Sequence, residues 1–320
     1  MAYFLLLPTN ENGVILDSNI KREVDTLTQQ PFNFNNFFIY SHGWWTNASD
    51  TMSQYNLFSV ELGGVVLNQF QKLHKQSINT LGIGIHWPSM LSEDGSNIKN
   101  YLEALSFYTM ERRADSVGAN AGYAIIRLLL ENLKTVTSNI PININLIGHS
   151  FGCKVICSAL AALAKQPLIA SLRSKLNFNV ILMQAAFDNN ALEPKQSYGS
   201  LLTEFPNIRF LITTSKEDKA LQDAYPIAHK LVNLFDNRPA LGAAGPTDIV
   251  KAKFANSLAT IGVDVGFSAN SVPSKQMIVA DLSLLHQHDK FDSAAFAGHH
   301  SDIFQPEIYQ LICGFLFPNA

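Results

Sequence analysis

Five residues constrain this chain more than any others: Gly148-His149-Ser150-Phe151-Gly152. Alone, the pattern Gly-x-Ser-x-Gly is weak, because average residue usage produces it in roughly one chain in ten of this length. Its surroundings give it weight. It follows the β-rich run Ile142-Asn143-Ile144-Asn145-Leu146-Ile147 and precedes Cys153–Ala164, a stretch of small and apolar residues. Strand, sharp turn and helix form the context in which this pattern presents a reactive serine. Such a turn strains the backbone at Ser150 and pushes its hydroxyl above the sheet. Gly148 and Gly152 let strand and helix approach closely. The helix N-terminus aims free N–H groups at the place where negative charge would develop.

The rest of the chain is read for what can surround that turn. Its 320 residues suit one large α/β domain spanning 1–320, with no repeat or low-complexity linker. Apolar residues make up 47% and charged residues 15%, the composition of a core-rich globular chain. The net charge of -3 and the lack of a basic run argue against a nucleic-acid partner. No segment offers the roughly 18 uninterrupted apolar residues of a membrane span. Met1–Pro8 has no basic region and only a short apolar run, so it reads as a first strand and not a signal peptide. A cytoplasmic location is expected, although a leaderless exported protein would read the same way. The three cysteines form no disulfide or zinc pattern, and Cys153 and Cys157 read as buried small hydrophobes on one helix face. The histidines are scattered, without metal-ligand spacing.

Short β-rich runs alternate with helical ones, the mark of a mostly parallel sheet covered by helices. Phe4–Leu7 and Gly13–Leu16 read as an opening antiparallel pair around the turn Asn10–Gly13. Further strands are expected at Phe37–Tyr40, Leu81–His86, Ile142–Ile147, Val180–Met183, Phe210–Thr213 and Met277–Leu282. Helices are expected at Met52–Lys75, Ala114–Glu131, Cys153–Ala164 and Ala220–Asn233, with a last one opening at Pro306 behind Gln305. Residues 88–113 and 236–274 read as insertions.

With the turn at Ser150 in this order of elements, the sequence resembles the α/β-hydrolase superfamily. The resemblance covers nearly the whole chain in strand order, and its specific part is a few short motifs. It implies a mostly parallel central sheet with helices on both faces and cap-like insertions. It also implies a serine hydrolase that needs no cofactor or metal and takes a small-molecule acyl substrate.

The site residues follow from the same resemblance. Ser41-His42-Gly43-Trp44-Trp45 follows a strand, where the superfamily builds its oxyanion hole. One donor is expected from the backbone of Phe151 and a second from Trp44 or Trp45. His42 is expected to orient this loop or to face the substrate, and Trp45 and Trp87 either line an acyl pocket or pack at its rim. A serine needs a histidine to take its proton and a carboxylate to hold that histidine, in the chain order serine, acid, histidine. For the base, His300 is favoured over its neighbour His299, with His286 and His288 behind them. For the acid, Asp218 is favoured over Asp188, while Glu217 and Asp223 read as surface charge. Asp218 also stands where a helix N-cap would. Ester or thioester cleavage is the favoured chemistry. A peptidase or amidase would use the same residues, and a non-catalytic binding protein would not need the full set.

Overall fold

Continuous apolar runs such as Leu81–Ile85 and Val180–Met183 need cover on both faces, which is the condition of parallel strands. The computed structural model describes residues 2–29, 34–44, 46, 48–74, 79–90, 101–133, 142–166, 176–227, 238–288 and 298–318. Within them these runs become β1 (Ala2–Pro8), β2 (Asn36–Ser41), β3 (Thr80–His86), β4 (Asn143–His149), β5 (Asn177–Met183), β6 (Ile208–Thr214), β7 (Leu258–Gly262) and β8 (Met277–Asp281). They form one sheet in the order β1-β3-β2-β4-β5-β6-β8-β7. Every pairing is parallel.

The helices that cover it are α1 (Asn19–Gln29), α2 (Ala48–His74), α3 (Tyr101–Val117), α4 (Tyr123–Leu133), α5 (Phe151–Ala164), α6 (Ser283–His288) and α7 (Pro306–Leu316). Strand periodicity sorts the core into two layers. Ile144, Leu146, Val180, Leu182, Phe210 and Ile212 pack with Ile20 and Val24 of α1, Met110 of α3, Leu129 of α4 and Ile156 of α5. The alternate residues Ile147, Ile181 and Leu211 pack with Tyr55 and Leu62 of α2 and Ile308 and Ile312 of α7. The fold is therefore α/β with helices on both faces, as the sequence implied.

A buried polar row crosses this apolar sheet. Asn145 Nδ2 donates to Asn36 Oδ1 at 3.0 Å, and Asn179 Nδ2 donates to Asn145 Oδ1 at 2.8 Å. Arg209 ends the row by donating to Asn179 Oδ1 at 3.3 Å. Each amide finds a partner on a neighbouring strand, which offsets part of the cost of burying it, although Asn36 Nδ2 has no hydrogen-bond partner among the described residues.

Several expectations need correction. The opening antiparallel pair is far shorter than expected and does not include Phe4–Leu7. The turn at Asn10–Gly13 forms, with Gly13 N–H donating to Asn10 O at 3.0 Å. Yet residues 13–16 return only as far as a single bridge between Thr9 and Ile15, while β1 pairs in parallel with β3. Strand β1 is an edge of the sheet, with Tyr3 exposed and Phe4, Leu5 and Leu6 half-buried, and its ladder is made to β3 alone. Of the supposed insertion 88–113, residues 101–113 belong to α3, which packs against α5; residues 91–100 lie outside the described residues. Helix α3 runs into α4 through a wider π turn at Gly118–Gly122. The stretch 236–274 is not a simple cap, since it carries the short helices Leu241–Ala244 and Asp248–Lys253 and then β7, the edge strand beside β8. The helix expected from Ala220 is described only to Ile227. At the other end, Gln305 is the N-cap of α7 and Pro306 its first residue, as expected.

Two glycines on helical segments test this packing with opposite signs. A Cβ on Gly118 would lie 2.3 Å from Val155 O, a backbone atom of α5 that cannot step aside. A Cβ on Gly64 of α2 meets nothing within 4 Å. In urea unfolding, Gly118→Ala is expected to cost about 1–3 kcal/mol by overpacking. Gly64→Ala is expected to add roughly 0.5–1 kcal/mol, because alanine loses less backbone freedom on folding.

Candidate active site

The site is built at the carboxyl ends of the central strands, where open parallel sheets bind their ligands. Ser150 leaves β4 with φ 55 and ψ -124, a left-handed backbone outside the ordinary range for a serine. Strain of this kind costs about 1–3 kcal/mol and persists only where the surroundings impose it. They do so here. Ser150 N–H donates to Met183 O at 3.0 Å, and Ser150 O accepts from Cys153 N–H at 3.1 Å and Ala186 N–H at 3.3 Å. The flanking glycines answer a spatial need, since a Cβ on Gly152 would lie 2.1 Å from Ser41 O and one on Gly43 would lie 2.8 Å from Ser150 Cβ. The turn at Ser150 and the His42-Gly43 loop thus press backbone on backbone.

A chain of hydrogen bonds runs from the serine. Ser150 Oγ donates to His300 Nε2 at 2.8 Å, and His300 Nδ1–H donates to Asp218 Oδ2 at 2.7 Å. Asp218 is fully buried. Its other oxygen, Oδ1, accepts the Leu221 N–H at 3.0 Å. Asp218 thus uses one oxygen on His300 and the other on the N–H of the following helical turn, the contact a cap would make. The favoured residues of the sequence reading are brought together, and their rivals are engaged elsewhere. His299 Nδ1–H donates to Asp302 Oδ2 at 2.5 Å, and its ring stacks on His286 at 5.4 Å. His286 is buried and bonded to Ser215 Oγ at 2.9 Å. His288 lies at the surface, 3.5 Å from Asp264. Asp188 accepts from Tyr225 OH at 2.8 Å. Glu217 meets Gln287 at the surface, and Asp223 is exposed.

The loop after β2 is held by side chains with no direct part in that chain. His42 is fully buried and neutral. Its Nδ1–H donates to Gly43 O at 2.8 Å, and its Nε2 accepts the Trp87 N–H at 3.3 Å. Trp87, also fully buried, stacks on the His42 ring at 5.5 Å and donates its indole N–H to His42 O at 3.1 Å. Tyr55 of α2 accepts the His42 N–H at 3.3 Å and donates to Ile85 O. Ser89 Oγ bonds both the N–H and the carbonyl of Thr46, at 3.1 and 3.0 Å. Arg113 of α3 in turn holds Pro88 O at 2.6 Å and Met90 O at 3.1 Å. The expectation that His42 and Trp87 face a substrate is therefore corrected: both are sealed inside the loop and orient it. Trp45 lies outside the described residues. Trp44 is half-buried, with its ring 6.2 Å from Phe151 and 6.0 Å from Phe107. Phe151 opens α5, so its N–H has no acceptor one turn back within the helix.

Two residues that the sequence reading passed over hold the turn Gly298–Ser301. His149 Nε2–H donates to His300 O at 2.7 Å, and Gln184 Nε2 donates to His299 O at 3.0 Å. His149 stood inside the glycine-serine motif, but nothing in that motif says what its ring reaches.

The fold and this geometry define an α/β hydrolase. The profile of a protein family described as "Alpha/beta hydrolase of unknown function (DUF900)" matches residues 58–240, more than half of the chain. The chain belongs to that family. No curated protein matches it. Among solved structures, the tryptophan synthase alpha chain from Legionella pneumophila subsp. pneumophila aligns over 92% of this chain and 94% of its own at 11% identity, with a TM-score of 0.21.

Burial lowers the pKa of both His42 and His149 to about 3, chiefly by desolvation of the charged form. Unfolded, each would bind a proton near pH 6.5. The unfolded state therefore holds more protons between those values, and stability falls as pH falls through this window. From pH 6.5 to pH 5 the expected loss is about 2 kcal/mol for each histidine. Urea unfolding at several pH values checks this, and His42→Gln should flatten the dependence if it folds.

Proposed function

We propose that this protein is a serine hydrolase that cleaves an acyl ester or thioester through an acyl-enzyme intermediate. One observation carries the reading: the unbroken chain of hydrogen bonds from Ser150 Oγ through His300 to the buried Asp218. Ser150 Oγ attacks the acyl carbonyl carbon while His300 Nε2 takes its proton. Asp218 holds the imidazole tautomer and stabilises the imidazolium that forms. His300 then gives the proton to the leaving alcohol or thiol. Water, deprotonated by the same nitrogen, attacks the acyl-serine and restores the hydroxyl. The backbone N–H of Phe151 and one from the Gly43–Trp44 loop carry the oxyanion. The loop's many braces support that role, because such donors act best when already fixed.

The preference for an acyl substrate rests on the aromatic cluster behind the nucleophile. Phe107 lies 4.9 Å from Phe151 and 5.3 Å from Tyr225, and Trp44 closes the group. Phe107, Phe151 and Tyr225 are buried in the core, so of this group it is the half-buried Trp44 that offers an apolar surface to an acyl chain.

A fluorophosphonate probe tests the reading without a known substrate. Wild-type protein should be labelled on Ser150, and Ser150→Ala should not be labelled. His300→Ala should slow labelling by about 10²–10⁴-fold, while His299→Ala should stay far closer to wild type. An unlabelled wild type, or equal labelling of Ser150→Ala, would overturn the proposal. Faster turnover of amides than of matched esters would move the activity to a peptidase or amidase.

A further inference from the structure

We propose that Gln184 is a positioning residue for the reaction, acting through Asp218 and the turn that carries His300. This rests on the serine-hydrolase reading above and adds a residue to it. Gln184 follows β5 directly and is fully buried. Its side-chain amide nitrogen makes two bonds at once. It donates to Asp218 Oδ2 at 3.1 Å, the oxygen that also receives His300 Nδ1–H, and to His299 O at 3.0 Å. Both atoms it faces are acceptors, so only the NH2 end of the amide fits there.

The backbone supports a selected role. Gln184 has φ 46, a left-handed conformation costly for any residue but glycine. It is held there by its own N–H donating to Thr213 Oγ1 at 2.9 Å. Its Oε1 is buried with no hydrogen-bond partner among the described residues. A leucine or methionine would fill the space without that orphaned acceptor. A strained residue with an unsatisfied atom makes sense where its donor is needed.

That donor does two things. It shares the negative charge of Asp218 Oδ2, so the carboxylate holds an imidazolium less tightly. It also ties the acid to the turn Gly298–Ser301, while His149 ties the next carbonyl, His300 O, to β4. Asp218 and His300 come from segments 82 residues apart, so their register depends on such ties.

The test is Gln184→Met, similar in length and without a donor. Other charged or titratable groups around the pair are untouched: His149 from β4, with its ring 5.0 Å from that of His300; His299 and Asp302 on the same turn; and His286 of α6 behind His299. The measurement is the second-order rate of fluorophosphonate labelling of Ser150 across pH, beside the thermal midpoint. Loss of one charge-assisted hydrogen bond is expected to slow labelling roughly ten- to hundredfold. It should also raise the pH of half-maximal labelling by about half a unit to one unit. A residue that only fills space would leave that pH where it is. Gln184→Glu is a second variant of nearly the same shape, which sets an acceptor against Asp218 and should slow labelling at least as much at neutral pH. Labelling of either variant within twofold of wild type, at an unchanged half-maximal pH, would overturn the proposal. Failure of wild-type protein to label would instead strike the serine-hydrolase reading itself.

Discussion

The left-handed backbone at Ser150 is the constraint on which the rest of the site depends. It exists because β4 must turn into α5 within one residue while the loop after β2 passes directly above. Gly152 leaves room for Ser41 O, and Gly43 leaves room for the Ser150 side chain. Hydrogen bonds from the end of β5 pin Ser150 from the other side. Relaxing the turn would drive backbone into backbone, so the strain is sustained by tertiary packing and not by the turn's own sequence. The result is a hydroxyl fixed beside the N-terminus of α5, with His300 arriving from a segment 150 residues later.

Much of the site's polar wiring serves position and not chemistry. His42 and His149 are buried, neutral and used as donors to carbonyls of the two loops that face each other across Ser150. Burial lowers both pKa values to about 3, so neither gains a proton at neutral pH. Arg113, Ser89 and Trp87 extend the bracing outward from β3 to α3. Fixed loops of this kind spare a reaction the cost of ordering its donors when charge develops.

The fold was largely legible because parallel strands write themselves as uninterrupted apolar runs. Where reading failed, the reason is physical. Tyr3–Leu7 is itself such a run, but the turn signal at Asn10–Gly13 suggested a hairpin that in the fold amounts to one antiparallel bridge, Thr9 to Ile15. Helix α1 was readable from Ile20, Val24 and Leu27 on one face, and was passed over among polar residues. Strand β7 is a half-exposed edge, so its residues carry little apolar signal. At the site, the family's chain order pointed to Ser150, Asp218 and His300. Sequence could not separate His299 from His300, because neighbours on one tight turn point in different directions and only the folded chain decides which meets Asp218. Gln184 left no sequence signal, since its role depends on a backbone angle and on two partners 34 and 115 residues away.

The most direct measurement of the central claim is to trap the intermediate. The protein would be mixed with an activated nitrophenyl ester, quenched in acid within the first turnover, and its peptides weighed by mass spectrometry. The account expects one acyl group on the peptide containing Ser150, formed in step with the first equivalent of nitrophenol. Release of nitrophenol with no acyl group on that peptide, or with the acyl group on another residue, would contradict it.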